Sequence, residues 1–365
     1  MNSLKVYYNN RLVGTIKKSE RIYFQYDEEW LKNGFSISPF SLPLKNELFV
    51  SNNNAFDGLF GVFSDSLPDS WGRLLLNRYL IKNRPNEKID EILFLSCIGK
   101  NGMGALEYIP EQNENEYKFE INYDDIQKEA DLAIDGLNYD VDKLYRLGGS
   151  SGGARPKALV TIDGEKWIVK FQYKYDIKDA GLVEYEYALA CKEIGINIPE
   201  VKLIKSNVSN GYFAIKRFDR SKDKKIHMIS VAALLEADFN SSFLDYNDLF
   251  KITKFLTYND YNDLNELFLR MCFNVYAHNL DDHIKNFSFI YDENLKRYRL
   301  SPAYDMTYSN TYYNEHTTTV NKKGKDILDD DLINVGIKAG LNEKECNDML
   351  NKVKIVVSNN LKKYL

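Results

Sequence analysis

Several features are scarce in this chain of 365 residues, and each scarcity excludes something. There are four cysteines, Cys97, Cys191, Cys272 and Cys346, far apart and without C-x-x-C spacing. No disulfide framework follows from that, and the usage is that of a reduced, cytoplasmic compartment. Cys191 and Cys272 lie inside apolar-periodic segments and read as small core hydrophobes. The longest apolar run, Ile229 to Leu235, is far too short to cross a bilayer, and no apolar stretch follows a basic cluster at the N-terminus. A soluble intracellular protein is expected. Net charge is only −5, so bulk electrostatics point neither to nucleic acid nor to an anionic membrane. The four histidines lack metal-ligand spacing; His278 and His283 share one polar stretch but have no cysteine or third histidine nearby, so zinc is not expected. Lys157 follows Pro156, which rules out a Gly-Lys-Ser/Thr phosphate loop. Ser150 and Ser151 lack the G-x-S-x-G setting of a hydrolase nucleophile.

What remains is ordinary globular material, 44% hydrophobic and 28% charged, with 26 Tyr and 20 Phe for an aromatic-rich core. The length suggests two or three structural units, with a boundary near residue 140. Leu4 to Tyr8 and Leu12 to Ile16, joined at Asn9-Asn10, read as a β-hairpin. Residues around 55–85 look helical, and Glu111 to Asn122 reads as a polar loop. A glycine-rich turn over 148–153 precedes a strand from Lys157 to Ile162. Asp163-Gly164 is a hairpin signal leading into a second strand, Lys166 to Phe171. Val183, Tyr187, Ala190, Cys191 and Ile194 then mark one buried helix face, closed by Gly195. Val201 to Ile204 and Tyr212 to Ile215 are further strands. The rest is mostly helical: Leu264, Leu267, Phe268, Met271, Val275 and Tyr276 form one helix face ending near His278. A polar loop and a short hairpin (Phe287 to Tyr291, Arg297 to Leu300) follow.

That polar loop, Asn279-Leu-Asp-Asp-His-Ile-Lys-Asn286, carries the strongest chemical signal. Asp281 and Asn286 are separated by four residues, and Asp305 follows the hairpin. Phosphoryl transfer needs a carboxylate to orient the attacking hydroxyl and oxygen ligands for magnesium, and kinase folds present these parts in this order. Any single D-x-x-x-x-N is more often a cap or a loop anchor. The crowding of Asp281, Asp282, Lys285 and Asn286 between apolar elements weakens that bland reading. The preference for Asp281 over Asp282 rests on spacing alone. A second constellation is the glycine-rich turn, then Lys170 on a strand, then Glu184 on the next helix. This is the kinase order in which backbone amides and a lysine meet phosphates while a glutamate holds the lysine. Ser150 and Ser151 are hydroxyls placed for self-modification, and His283 is suited to bond within its loop or touch phosphate.

Gly149-Ser-Ser-Gly-Gly-Ala-Arg-Pro-Lys157, Arg217-Phe-Asp-Arg220, the 279–286 loop and Pro302-Ala-Tyr-Asp305 together resemble the HipA family of bacterial serine/threonine kinases. Gly61-Val-Phe-Ser-Asp-Ser-Leu-Pro-Asp-Ser-Trp-Gly-Arg73 and Ile98-Gly-Lys-Asn-Gly-Met-Gly-Ala-Leu106 are similar to its N-terminal region. The resemblance implies an α+β, protein-kinase-like fold: an N-terminal mixed subdomain over 1–140, an ATP-binding β-rich lobe over 141–220 and a helical catalytic lobe over 221–365. It implies ATP and Mg2+ as cofactors, with Ser151, Gly152, Gly153, Ala154, Lys157, Lys170 and His283 meeting ATP. The backbones of Lys216 and Phe218 would meet adenine; Lys216 stands where an acidic residue is common. Glu184 would hold Lys170, Asp281 would be the base, and Asn286 and Asp305 would bind magnesium. Ser150, or alternatively Ser151, would be autophosphorylated, silencing the enzyme. The implied activity is that of a toxin kinase acting on a translation component such as an aminoacyl-tRNA synthetase. Its partner would be a small helix-turn-helix antitoxin, with DNA met only through that partner. Two other readings stay open: a small-molecule or lipid kinase, and a catalytically quiet co-repressor. The intact set Lys170, Glu184, Asp281, Asn286 and Asp305 speaks against the quiet one.

Overall fold

Asn9 and Asn10 both take positive φ, 45° and 65°, as the mirror-image turns that match strand twist require. They join strands Ser3–Tyr8 and Arg11–Lys18 in the expected hairpin, with a register slip between Val6 and Tyr7. This is a computed structural model, and it describes residues 2–52, 55–112, 121–148, 153–174, 176, 179–222, 224–238, 244–311 and 313–365. The chain divides into two compact units, one of residues 1–181 and 202–237, the other of 182–201 and 238–365.

In the first unit, Ile22–Tyr26 and Phe49–Val50 extend the hairpin on one side and Leu106–Ile109 on the other, giving a five-stranded antiparallel sheet. Leu4, Val6, Tyr8, Ile16 and Phe24 point inward on alternate positions, as a half-buried sheet demands. The core is aromatic: Phe24 and Phe63 lie 5.2 Å apart, Tyr8 and Trp30 5.7 Å. The helical expectation for 55–85 resolves into Gly61–Ser64 and Ser70–Asn83. The chain over 65–69, which contains Pro68, separates the two helices. A four-stranded sheet follows, in the order Lys157–Ile162, Glu165–Lys170, Tyr212–Lys216, Val201–Ile204. Asp163 and Gly164, at φ 53° and 79°, make its first turn. The register sets Lys157 directly opposite Lys170.

The second unit is mainly helical. In helix Ala180–Ile194 the five expected core residues, Val183, Tyr187, Ala190, Cys191 and Ile194, are all buried, and Gly195 closes the helix at φ 100°. Helix Tyr246–Thr257 is capped by Asp245, and helix Tyr261–Tyr276 by Asp260. In the latter, Leu264, Leu267, Phe268 and Met271 are buried as expected, but Val275 and Tyr276 are only half-buried. Tyr276 instead sends its hydroxyl to Asp329, and the Lys354 ammonium lies 5.2 Å from its ring. Helices Asp329–Lys338 and Glu343–Asn360 complete the unit. A β-carbon on Gly336 would stand 2.6 Å from Cys346 Sγ and 2.7 Å from the Phe268 ring, so these helices meet where only glycine fits. All four cysteines are free and buried. Among the described residues no helix is long and apolar enough to cross a membrane.

Candidate active site

The polar loop leaves helix Tyr261–Tyr276 at residue 277 and runs to strand Ser288–Asp292, which pairs antiparallel with Arg297–Leu300. His278 takes φ 53°, which turns the chain off the helix, and its ring stacks on Tyr308 at 5.1 Å. The two adjacent carboxylates of the loop then part company. Asp282 is 1% exposed and accepts from the Tyr246 hydroxyl at 2.9 Å and from the Thr318 amide at 3.0 Å. The oxygen that takes the Tyr246 hydroxyl also lies 3.1 Å from His316 Nδ1. Asp281 is 55% exposed at its side chain, with His283 Nε2 3.9 Å from a carboxylate oxygen. A buried carboxylate ringed by donors is a structural anchor; an exposed one beside an imidazole can meet a substrate hydroxyl.

Asn286 folds back on the loop. Its amide nitrogen donates to the Asp281 carbonyl at 2.8 Å, so ligation of a cation would fall to its amide oxygen. Asp305 sits at φ 54°, and its carbonyl accepts from Asn279 Nδ2 at 3.3 Å. The run that leads to it is anchored at both ends of Pro302-Ala-Tyr. The buried Arg270 donates to the Ser301 carbonyl at 2.6 Å while bonded to Glu266, and Tyr304 donates to the Lys285 carbonyl at 2.8 Å. Asp281, Asn286 and Asp305 therefore belong to one hydrogen-bonded cluster within the second unit. Among the described residues no three His, Cys, Asp or Glu side chains gather as a metal cage. The donors at hand, a carboxylate and an amide oxygen, are the hard oxygens that magnesium takes when phosphates and water fill the remaining positions.

In the first unit, Lys170 ends its strand directly across from Lys157. Opposed residues of an antiparallel pair share a face, so both lysine side chains leave the sheet on the same side. Gly153 follows the glycine-rich stretch at φ 89°, and a β-carbon on it would collide with the Lys157 ammonium. The Lys157 ammonium beside a backbone bend that only glycine adopts readily, with Lys170 on the same sheet face, makes a setting for an anion. The Lys170 ammonium also lies 5.7 Å from the Phe213 ring. Ser150, Ser151 and Gly152 lie outside the described residues, as does most of the polar loop over 111–122; Ala154 follows Gly153 and is exposed. Glu184 is 4% exposed on helix Ala180–Ile194 and belongs to the other unit.

Lys216 pairs with Glu165 at 3.2 Å, and Phe218 is half-buried. Between and beyond them Arg217 and Asp219 turn inward. Asp219 is bonded to Arg217 at 2.7 and 2.9 Å, to Arg220 at 2.9 Å and to the Gly104 amide at 2.7 Å. Both arginines also donate to the Gly102 carbonyl. Burial pushes the Asp219 carboxyl up, but the two guanidiniums outweigh it and hold the group at about 2. Burial also draws Arg220 down to about 10. This knot ties the chain of Lys216 and Phe218 to the turn at Gly102–Gly104 inside the first unit.

Sequence reasoning did not single out Asp69, Tyr246, Asn274, Ser309 or Thr318. Asp69 stands at the N-cap position of helix Ser70–Asn83 yet makes no capping bond with its side chain; it accepts from the Gly153 amide at 2.5 Å instead. Its partner is 84 positions away in sequence, and no local pattern reports such a pairing.

Comparison with known proteins gives a consistent result. The model for the HipA N-terminal domain matches residues 4–109, and the model for the HipA-like C-terminal domain matches residues 149–360. A protein of Sinorhizobium fredii named "Putative kinase Y4dM" is 26% identical over 306 residues, covering 77% of this chain and 71% of that protein. One of Haemophilus influenzae named "Putative kinase" is 27% identical over 237 residues, 54% of this chain and 68% of its own length. Among solved structures, a chain from the Shewanella oneidensis MR-1 complex of the toxin–antitoxin proteins HipA and HipB with operator DNA superposes with a TM-score of 0.74. It does so at 16% identity, covering 99% of this chain and 90% of that one. At that identity the match speaks for the fold, which is α+β and kinase-like.

Proposed function

The chain belongs to the HipA family, and from that premise we propose that it is a magnesium- and ATP-dependent serine/threonine protein kinase of the cytoplasm. The observation that carries the reading is the division of labour between adjacent carboxylates: Asp282 is consumed by the fold and Asp281 is presented to solvent. In this reading Asp281 accepts or orients the proton of the attacking hydroxyl, and His283 beside it bonds within the loop or touches phosphate. Asn286 and Asp305 hold magnesium, which when bound neutralises charge on the transferring phosphoryl group. Lys157 and Lys170, with the backbone from Ser151 through Ala154, hold the nucleotide phosphates, and Glu184 orients Lys170. The main chain of Lys216 and Phe218 meets the adenine edge, braced by the Asp219 knot.

The target is a protein, and the toxin reading makes it a translation component such as an aminoacyl-tRNA synthetase. A phosphate on Ser150, or on Ser151, would add about two negative charges to the phosphate-binding loop and so oppose ATP. A small helix-turn-helix antitoxin is the proposed partner, because the Shewanella oneidensis protein of this fold is assembled with HipB and operator DNA. The test is intact-mass spectrometry of purified protein incubated with magnesium-ATP. A gain of about 80 Da, one phosphoryl group, that maps to Ser150 or Ser151 and vanishes in Asp281→Ala is expected. No gain in mass, together with no labelled protein in a lysate, refutes the kinase reading.

A further inference from the structure

Asp282 is adjacent to the proposed base and takes no part in the proposed chemistry, yet it is the end point of a one-way chain of hydrogen bonds. A carboxylate can only accept. The Tyr246 hydroxyl must therefore donate to Asp282, at 2.9 Å, and its oxygen is left to accept from Asn274 Nδ2 at 3.0 Å. That orients the Asn274 amide, whose Oδ1 then accepts from Asn279 Nδ2 at 2.9 Å. The Asn279 amide is oriented in turn. Its Oδ1 accepts from the Ser309 hydroxyl at 2.8 Å, and the second proton on its nitrogen reaches the Asp305 carbonyl at 3.3 Å. Ser309 Oγ, its proton committed, accepts the main-chain amide of Asp281 at 3.1 Å. Tyr246, Asn274, Asn279 and Asp282 are each no more than 2% exposed, so water is not there to substitute for a missing partner.

We propose that Asp282 is a positioning residue for phosphoryl transfer, its charge setting the polarity of a relay through Tyr246, Asn274, Asn279 and Ser309 that fixes the main chain at Asp281 and Asp305. The inference rests on the reading that Asp281 and Asp305 serve the reaction. From the Asp281 amide to Asp282 every bond donates toward Asp282, so each polarises the next. The Asn279 bond to the Asp305 carbonyl branches outward from the same oriented amide, so both ends of the catalytic cluster are registered by a single buried group. A neutral amide at 282 cannot reproduce this. With its nitrogen toward Tyr246 it turns a donor on the Tyr246 hydroxyl proton, which loses its acceptor; with its nitrogen toward Thr318 it faces the Thr318 amide, another donor. Either orientation leaves a donor–donor conflict inside the fold.

The decisive variants are Tyr246→Phe and Ser309→Ala, beside Asp282→Asn and Asp281→Asn. Tyr246→Phe removes one oxygen while the ring keeps its edge contact with Phe287 at 5.9 Å. Ser309→Ala cuts the relay one bond short of Asp281 and leaves Asp282 and its donors intact. Thr253→Val is the control, since it deletes another buried hydroxyl of the same helix, bonded to the Leu249 carbonyl at 2.8 Å, outside the relay. The readouts are the rate of phosphate gain by the protein at saturating magnesium-ATP, the KM for ATP and the melting temperature. Tyr246→Phe, Ser309→Ala and Asp282→Asn are expected to slow transfer by about 10- to 100-fold with KM changed less than about threefold, a loss of transition-state fit rather than of binding. Thr253→Val is expected to keep the wild-type rate at a similar cost in melting temperature. Relay variants that transfer at the wild-type rate beside an inactive Asp281→Asn overturn the relay alone. An equal slowing by Thr253→Val likewise reduces the relay to plain stability. An undiminished Asp281→Asn, or a wild type that transfers no phosphate, overturns the reading of Asp281 and the relay with it.

Discussion

Replacing Asp219 by asparagine tests how the proposed adenine-contacting segment is held. The carboxyl is buried with two arginines and sits at about 2 against an ordinary 3.8. Depression of that size corresponds to stability on the order of 2 kcal/mol carried by the charged form. The sign follows from the direction. A depressed carboxylate contributes its stability above the unfolded value of 3.8 and loses it as pH falls through about 2. Asp219→Asn removes the charge at every pH and leaves Arg217 buried with no countercharge at position 219, a change that in buried pairs costs about 3–5 kcal/mol. The variant is therefore expected to be destabilised by about 3 kcal/mol at pH 7, and the gap to wild type should narrow by about 2 kcal/mol by pH 2.5. Urea unfolding followed by tryptophan fluorescence reads this directly, because Trp30, Trp71 and Trp167 all lie in the unit that contains Asp219. A deficit below about 1 kcal/mol at pH 7, or one that does not change with pH, would refute the claim that charge holds this knot.

Asp263, in the first turn of helix Tyr261–Tyr276, is the opposite case. Burial lifts its carboxyl to about 6, with Arg299 opposing and Asp260 adding to the rise. A raised carboxyl has its stabilising effect below the unfolded value and loses it as pH rises through about 6, so Asp263→Asn should match wild type near pH 4 and exceed it by about 2 kcal/mol at pH 8. Melting curves at both values check this, and a variant less stable than wild type at pH 8 contradicts it. Gly153→Ala combines a left-handed backbone at φ 89° with a clash against the Lys157 ammonium. The strain, about 1–2 kcal/mol in the ligand-free fold, should lower the melting temperature by a few degrees, and a loop that relaxes to escape it should bind ATP about tenfold more weakly. Calorimetric titration of magnesium-ATP gives the answer, and wild-type affinity would remove Gly153 from the phosphate site.

Local chemistry was legible in the chain itself. Asn9-Asn10 and Asp163-Gly164 announced their hairpins because a turn with two positive φ angles accepts few residue types. Val183, Tyr187, Ala190, Cys191 and Ile194 announced a helix face because burial on one side repeats every three to four residues. The candidate site was legible as an order of parts, Gly153, Lys170, Glu184, Asp281, Asn286 and Asp305, since spacing and element context are properties of the string. Spacing alone left Asp281 and Asp282 almost indistinguishable. Their burial differs because Asp282 meets Tyr246, His316 and Thr318, each more than 30 positions away, and such meetings leave no period to read. The same holds for Asp69 at Gly153 and for the arginines of the Asp219 knot at Gly102 and Gly104. Val275 and Tyr276 show the converse. Their period placed them in the core, but a hydroxyl that bonds Asp329 and a ring that carries Lys354 are stable at a half-wet surface. What a sequence determines is which short segments can form and which side chains could do chemistry; which carboxylate faces water is decided only when distant donors close around the other one.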